Sequence, residues 1–87
     1  MKVVNMRSSK GNKVANQFIM YDEGKEWFQS YSTIIAIIDE DGKVTLDEDD
    51  WDYSVTTSRY RNIFLNECKQ DTIAKIESGE YTLAKLN

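Results

Sequence analysis

The chain has 87 residues, a formal net charge of −4 and one cysteine, and it contains neither histidine nor proline. This length predicts a single domain, residues 1–87, and a composition of 40% hydrophobic residues is too apolar for a disordered chain. One cysteine excludes an internal disulfide and a thiolate metal cage, and without histidine the usual general base is missing. We therefore expect a protein that is not an enzyme and that needs no cofactor or metal.

The hydropathy of the chain argues against a membrane protein. No apolar run approaches the roughly 20 residues that a membrane-spanning helix needs. The first residues, "MKVVNMRSSKGNK", lack the apolar centre of a signal peptide. The scarcity of cysteine suits a reducing compartment. These features predict a soluble, cytoplasmic protein.

Residues typical of β-strands dominate the first half of the chain. The predicted strands are residues 2–6, 14–21, 26–31, 33–39 and 43–46. The fourth, "TIIAIID", is continuously apolar, which is typical of a strand buried on both faces near the middle of a sheet. In the fifth, the alternation predicts Val44 and Leu46 on one face and Thr45 on the other.

The apolar spacing becomes helical after residue 55. One side of the predicted helix carries Tyr60, Ile63, Phe64 and Cys68. Either Thr56 or Thr57 is the expected N-cap, because a threonine hydroxyl can accept a hydrogen bond from a free backbone N–H of the first turn.

A second helix is predicted over residues 72–78, capped by Asp71 and ended by Gly79. One long bent helix over both segments is the alternative. The segment "EYTLAKL" is predicted to form a final strand. The expected fold is therefore α+β: an antiparallel sheet of five to six strands with one or two helices packed on one face.

The stretch "IIDEDGKVTLDEDD", residues 37–50, has features of a calcium-binding loop with Gly42 at the sixth position. The first ligand position is then Ile37, which has no side-chain oxygen, and a strand rather than a helix precedes it. Asp41 and Gly42 between two apolar runs instead give a strong hairpin signal. The sequence predicts a β-hairpin here and no specific calcium site.

Residues 39–52 hold eight of the fifteen acids against one base, a local charge of −7. One hypothesis is that this acidic surface imitates nucleic-acid phosphates and binds a basic surface of a partner protein, with aromatic side chains as anchors. The candidate partner-binding residues are Asp39, Asp41, Asp47, Glu48, Asp49, Asp50, Trp51 and Asp52. The simpler alternative is a solvated hairpin end that keeps a small protein soluble, with Trp51 or Tyr53 packed on the sheet edge.

A different hypothesis places a small ligand or nucleotide at the start of the first helix, where backbone N–H groups favour anions. The candidate residues are Thr56, Thr57, Ser58, Arg59 and Arg61. Surface arginines that pair with neighbouring acids are the competing interpretation. Direct nucleic-acid binding is not expected, because the isoelectric point is near 4.7. A structural module without any such site is a third possibility.

Two segments, "FQSYSTIIAIID" and "WDYSVTTSRYRNIFL", resemble a family of small proteins encoded by bacteriophages, prophages and plasmids. The resemblance spans about residues 28–65 and is most specific at Thr-Thr-Ser. The positions that carry it are Tyr31, Thr33, Ile35, Ala36, Tyr53, Ser54, Thr56, Thr57, Ser58, Arg59, Phe64 and Leu65.

Small acidic proteins of mobile elements often inhibit host defence, and anti-CRISPR proteins are among them. The resemblance therefore implies an inhibitor, in the cytoplasm of a bacterial host cell, of a defence protein that handles nucleic acid. A CRISPR effector with a basic surface is one such partner.

Overall fold

The computed structural model describes residues 1–87 as one six-stranded sheet with two helices packed against one of its faces. The elements are β1 (Lys2–Arg7), β2 (Lys13–Asp22), β3 (Lys25–Ser30), β4 (Thr33–Ile38), β5 (Val44–Asp47), α1 (Val55–Leu65), α2 (Lys69–Glu77) and β6 (Thr82–Ala84). The α+β class predicted from the sequence is confirmed.

The strands lie in the sheet in their sequence order, from β1 to β6. The first five form an antiparallel meander, whereas β6 pairs parallel to β5, with Leu46 opposite Leu83. The expectation of a wholly antiparallel sheet is therefore wrong at this edge. A parallel neighbour needs a long crossover connection, and the two helices between β5 and β6 supply it.

The turn between β4 and β5 is built by the residues that suggested a calcium loop. The Gly42 N–H donates to the Asp39 carbonyl at 2.9 Å, and Gly42 has a left-handed φ of 83°. The Asp39 carboxylate accepts hydrogen bonds from the backbone N–H groups of Asp41 and Lys43, each at 2.9 Å. The predicted hairpin is confirmed, and the Asp39 carboxylate stabilises its turn.

Strand β4 lies between β3 and β5, near the middle of the sheet, as its apolar sequence predicted. A register shift between β3 and β4 leaves Ile35 as an extra residue, and both Ile35 and Ala36 are buried in the core. Ile34 and Ile37 are only half-buried, since no helix covers the other face of the sheet. Burial of this strand on both faces is thus incomplete.

The core lies between the sheet and the helices. It contains Met6, Phe28, Ile35, Ala36, Val44, Leu46, Tyr60 and Tyr81. Phe64 of α1 packs on Phe28 with ring centroids 5.7 Å apart, which holds the helix against β3. Ile63 and Cys68, predicted on the same face of the helix as Tyr60 and Phe64, are both exposed.

Two separate helices are present because the chain leaves the helical conformation at Asn66, which has a left-handed φ of 56°. Asparagine tolerates this conformation better than most residues and often ends a helix. The helical period therefore does not reach Cys68. Helix α2 begins at Lys69 with Cys68 at its N-cap position, so the predicted start after Asp71 is wrong by three residues.

A buried carboxylate fastens α2 to the chain around it. Glu67 accepts hydrogen bonds from Thr72 Oγ1 at 2.5 Å, from Lys75 Nζ at 2.7 Å and from the Tyr81 hydroxyl at 2.7 Å. Burial by itself would raise the pKa of Glu67, but these three hydrogen bonds outweigh it and lower the pKa. Burial and the hydrogen bond to Glu67 raise the pKa of Tyr81 to about 12.

Helix α1 is capped by Ser54, not by either of the threonines predicted from the sequence. The Ser54 hydroxyl accepts the Thr57 backbone N–H at 3.1 Å, and the first intrahelical bond joins Ser58 N–H to the Ser54 carbonyl at 2.8 Å. Several neighbouring hydroxyl residues have similar capping preferences, so composition alone does not select among them.

This assignment predicts a difference between two alanine variants. Ser54→Ala should lower the free energy of unfolding by about 1 kcal/mol, because the Thr57 N–H loses its acceptor. Thr56→Ala is the matched control: Thr56 is exposed and makes no side-chain hydrogen bond, so its loss should have almost no effect. Urea unfolding of both variants measures the difference, and equal stabilities would show that Ser54 is not the cap.

Candidate functional site

A cleft of about 580 Å³ opens between the β3–β4 turn and the N-terminal end of α1. It is lined by Ser30, Tyr31, Ser32, Thr33, Ile35, Asp50, Tyr53, Ser54, Thr56 and Thr57. Eight of these ten side chains carry a hydroxyl group, and Asp50 is the only carboxylate among them. The fold thus brings together two segments, 30–35 and 50–57, that are far apart in sequence.

The inner wall of the cleft is a chain of hydrogen-bonded hydroxyl groups. Thr57 Oγ1 lies 2.9 Å from Ser30 Oγ on β3, and it accepts a hydrogen bond from Ser54 Oγ at 3.1 Å. Thr57 is fully buried and Ser30 nearly so. These bonds join the sheet to the start of the helix, so the wall has a defined geometry rather than a set of free side chains.

Two tyrosines stand at the rim of the cleft with their side chains largely in solvent. Tyr31 is 54% exposed and Tyr53 is 70% exposed. Tyr31 occupies the two-residue β3–β4 turn with a left-handed φ of 58°, a conformation that costs a residue with a side chain about 1–2 kcal/mol. Its N–H donates to the Asn16 carbonyl at 2.7 Å, which helps to hold the turn there.

The loop that carries Asp50 and Tyr53 is tied to α1 by Arg61, which is completely buried. Its guanidinium donates to the Trp51 carbonyl at 2.8 Å and to Asp52 Oδ1 at 3.1 Å. It also donates to side-chain oxygens of α1, Ser58 Oγ and Asn62 Oδ1, and it lies over the Trp51 ring, 5.0 Å from the centroid. Arg61 therefore has a structural role, and its side chain is not accessible to a ligand.

Asp52 completes this arrangement from the loop side. Its second carboxylate oxygen pairs with Lys69 Nζ at 2.5 Å, so Asp52 bridges the start of α2 and the buried Arg61. Partial burial would raise the pKa of Asp52, but the hydrogen bonds and charges of Lys69 and Arg61 outweigh it and lower the pKa. This carboxylate is occupied by cations of its own chain.

Asp47 is another acid of this loop region with a structural role. It is buried at the end of β5, where its carboxylate accepts the backbone N–H groups of Asp50 at 2.8 Å and Leu86 at 2.9 Å. A weaker bond comes from Asp49 N–H at 3.2 Å. Burial would raise the pKa of Asp47, whereas these hydrogen bonds lower it. Asp47 thus holds the loop after β5 and the C-terminal segment in place.

The predicted acidic surface is divided into two groups by the fold. Asp39 and Asp41 lie in the β4–β5 turn, while residues 47–52 follow the other end of β5, about 13 Å away along a four-residue strand. Glu48 and Asp49 are exposed and directly precede Asp50, which lines the cleft. We call Glu48, Asp49 and Asp50 the cleft-side acids. Trp51 is half-buried against the core, as the simpler interpretation expected of one aromatic.

The residues of the second hypothesis are not brought into one place. Thr56 and Thr57 line the cleft, but Ser58 and Arg59 line a separate groove together with Lys69. Arg61 is enclosed in the protein. A site at the helix start therefore has the two threonines without either arginine, which leaves a phosphate without the cations it would need there.

Part of the cleft was not named as a site from the sequence. Ser30, Tyr31, Ser32 and Thr33 come from the β3–β4 turn, which periodicity identifies only as a connection. Among these residues, Tyr31 and Thr33 belong to the resemblance described in the sequence analysis, which stays a prediction. Behind this wall Gln17 lies opposite Ser30 in the sheet, fully buried, and its amide group has no hydrogen-bond partner in the protein.

The conformation of Tyr31 generates a prediction about its role. Tyr31→Asn should raise the free energy of unfolding by roughly 0.5–1 kcal/mol, because asparagine adopts a positive φ at lower cost and Tyr31 buries little surface. Tyr31→Phe, which keeps the ring, should leave stability unchanged. Chemical denaturation of the three proteins tests this. A less stable Asn variant would mean that packing, rather than a binding role, accounts for a tyrosine in this turn.

Comparison with known proteins places the chain in a family. No curated protein and no solved structure shows detectable similarity to it. None of its helices combines the length and the apolar character required to cross a membrane. Residues 1–80, which are nearly the whole domain, match the model of a protein family. The chain belongs to DUF8033, a family of unknown function.

Proposed function

We propose that this chain is a non-catalytic binding protein that docks on a basic surface of a partner protein through the hydroxyl-lined cleft and the cleft-side acids. The observation that carries the proposal is the position of Asp50. Its side chain lines the cleft, and the Asp50 carboxylate forms neither a hydrogen bond nor an ion pair with another side chain. No lysine or arginine lines the cleft.

The arrangement fits the usual division of labour in a protein interface. Exposed carboxylates such as those of Glu48 and Asp49 steer a basic partner during association, and aromatic side chains supply contact area once it has docked. Tyr31 and Tyr53 are exposed and line the same cleft as Asp50. The hydroxyl groups of Ser32, Thr33 and Thr56 also line the cleft and are not buried, and each can donate or accept, so they can pair with polar groups that enter the cleft.

One local effect opposes the binding of a cationic ligand, and its size can be compared with the attraction between that ligand and the Asp50 carboxylate. The N-terminus of α1 carries partial positive charge, which disfavours a nearby cation by about 0.3–1 kcal/mol at an exposed site. A cation about 4 Å from the Asp50 carboxylate gains roughly 1–4 kcal/mol, according to its exposure to water. Ser54 also satisfies one of the free N–H groups of α1. The net preference of the cleft is therefore for a positive group.

Support for a role other than catalysis comes from the chemistry of the cleft. Two of its hydroxyls, those of Ser30 and Thr57, are hydrogen-bonded to each other; the chain has no histidine, and no lysine lines the cleft to activate them. Asp50 has no second carboxylate beside it in the lining. A single carboxylate among neutral hydroxyls suits recognition better than proton transfer.

The narrower form of the proposal concerns the partner. The resemblance to proteins of phages and plasmids supports the proposal that the partner is a host defence protein that handles nucleic acid, such as a CRISPR effector. The net charge of −4 supports the proposal that this chain competes with DNA or RNA for a basic groove of the partner. Within residues 47–52, only Glu48, Asp49 and Asp50 would then take the place of phosphates, because Asp47 and Asp52 are bound to groups of their own chain.

The second hypothesis, a small-ligand or nucleotide site at the helix start, keeps only Thr56 and Thr57 in the cleft. Arg59 remains exposed, in the neighbouring groove with Lys69. An anionic ligand bound there would depend on these two cations and not on the cleft-side acids. The two hypotheses therefore predict opposite effects of neutralising acids and bases.

Two triple variants with the same change of charge test the proposal. The first, Glu48→Gln, Asp49→Asn and Asp50→Asn, removes the cleft-side acids. The second, Glu40→Gln, Asp41→Asn and Glu80→Gln, removes three exposed acids elsewhere. A partner is captured from bacterial lysate with the wild-type protein, and association rates and nucleic-acid competition are then measured with the purified partner.

We expect the cleft-side variant to associate at least about tenfold more slowly and to lose competition with nucleic acid, whereas the second variant keeps both. The wild-type association rate should also fall as salt rises, because exposed charges are screened over about 8–10 Å at physiological ionic strength. Full inhibition by the cleft-side variant, with loss of binding in Arg59→Gln, would reject the proposal in favour of the anionic-ligand hypothesis.

A further inference from the structure

The cleft contains one unpaired charge and many acceptors, and these properties restrict the chemistry of its ligand. Asp50 is the only charged residue in the lining, and the other polar groups are hydroxyls that can accept hydrogen bonds. An anion would meet Asp50 with no lysine or arginine to offset it. A ligand with several N–H donors and a positive charge satisfies both the carboxylate and the hydroxyl groups.

The rim favours a planar cation. Tyr31 and Tyr53 belong to different segments, the β3–β4 turn and the loop before α1, and both side chains are more than half exposed. A guanidinium group stacks on aromatic faces and carries five N–H donors in a fixed plane, whereas an ammonium group is a compact charge that holds its water more strongly. Two exposed tyrosines in a lining rich in hydroxyl acceptors suit the planar guanidinium better.

The same loop already binds a guanidinium group inside the protein. Arg61 lies 5.0 Å over the Trp51 ring and donates to the Asp52 carboxylate and to the Ser58 hydroxyl. This internal site consists of an aromatic face, an aspartate and a serine. Across the same short loop, the cleft offers the same three kinds of group to the outside, with Tyr53, Asp50 and Ser54.

We propose that the cleft binds the guanidinium group of an arginine side chain presented by the partner protein. Asp50 pairs with the guanidinium, the accessible hydroxyl groups of Ser32, Thr33 and Thr56 accept its remaining N–H donors, and Tyr31 and Tyr53 enclose its faces. The cleft, at about 580 Å³, has room for the side chain and the adjoining peptide. That the arginine belongs to a partner protein rests on the proposed function; the preference for guanidinium rests on the cleft alone.

The test uses the full chain labelled with ¹⁵N and three blocked amino acids as probes: N-acetyl-arginine amide, N-acetyl-lysine amide and N-acetyl-citrulline amide. Citrulline has nearly the shape of arginine without its charge. We expect the arginine probe to shift the backbone amide signals of Tyr31, Ser32, Asp50 and Tyr53. Its affinity should exceed that of citrulline by about tenfold and that of lysine by a smaller factor.

Variants separate a bound guanidinium from general attraction to an acidic protein. Asp50→Asn should weaken arginine binding by about tenfold, and Tyr53→Leu by several-fold. Glu80→Gln is the matched control, because it removes the same charge from an exposed residue that neither lines the cleft nor belongs to the cleft-side acids. It should have little effect at physiological salt. The native signal pattern of each variant confirms that it is folded.

Equal binding of citrulline and arginine, stronger binding of lysine, or shifts confined to residues outside the cleft would overturn the inference. Free L-arginine is a fourth probe. Tighter binding of the free amino acid than of the blocked form would point to a small metabolite instead of a protein side chain. If no probe binds but the partner still depends on the cleft-side acids, the proposed function stands and the guanidinium site does not. If the arginine probe binds as expected but the partner ignores the cleft-side acids, the proposed function fails.

Discussion

The buried guanidinium of Arg61 is the interaction on which the shape of the candidate site depends. It is fully enclosed, and it joins α1 to the loop after β5 through the Trp51 carbonyl and the Asp52 carboxylate. A buried charge is tolerated only when it is paired and hydrogen-bonded, and four hydrogen bonds and an aromatic face fulfil this condition here. Because the loop is held at this point, Asp50 and Tyr53 lie at the cleft.

The acidic residues of the loop after β5 have two roles, according to whether the carboxylate is bound to groups of its own chain. Asp47 and Asp52 hold the loop and the helices together, and the pKa of each is lowered by the groups it binds. Between them in sequence, Glu48 and Asp49 are exposed, and Asp50 is half-buried in the lining of the cleft. The hydrogen bonds and ion pairs of Asp47 and Asp52 fix the conformation of the loop. The carboxylates of Glu48, Asp49 and Asp50 give the loop its free negative charge. The negative charge that this loop presents to a partner is therefore that of the second group alone.

Much of the fold could be predicted from local patterns, since its strands, hairpins and helices are specified by neighbouring residues. The Asp41-Gly42 turn and the central position of β4 are examples. The parallel pairing of β6 was not predictable, because it depends on the path of the whole helical crossover. The choice of Ser54 as the cap also escaped prediction, since adjacent hydroxyl residues have similar preferences. Arg61 was expected at the surface, and only tertiary contacts explain its burial.

The candidate site was predictable only in part, for a related reason. Charge counts treat residues 39–52 as one surface, whereas β5 separates its two ends. The cleft itself is made by residues distant in sequence, and its β3–β4 half has no chemical signal of its own apart from the family resemblance. Tyr31 illustrates this: in sequence it ends an alternating strand, and in the structure it occupies a turn with a positive φ at the rim of the cleft.

The most direct measurement of this account is the unfolding free energy and amide hydrogen exchange of Arg61→Ala beside Arg59→Ala, an exposed arginine on the same helix. Loss of the buried guanidinium should lower the stability by about 3 kcal/mol, and the Arg59 variant should stay within about 0.5 kcal/mol of the wild type. The amides of Trp51 and Tyr53, which are hydrogen-bonded within the loop, should lose protection in Arg61→Ala alone. Equal stability and unchanged exchange in both variants would contradict the central role of Arg61.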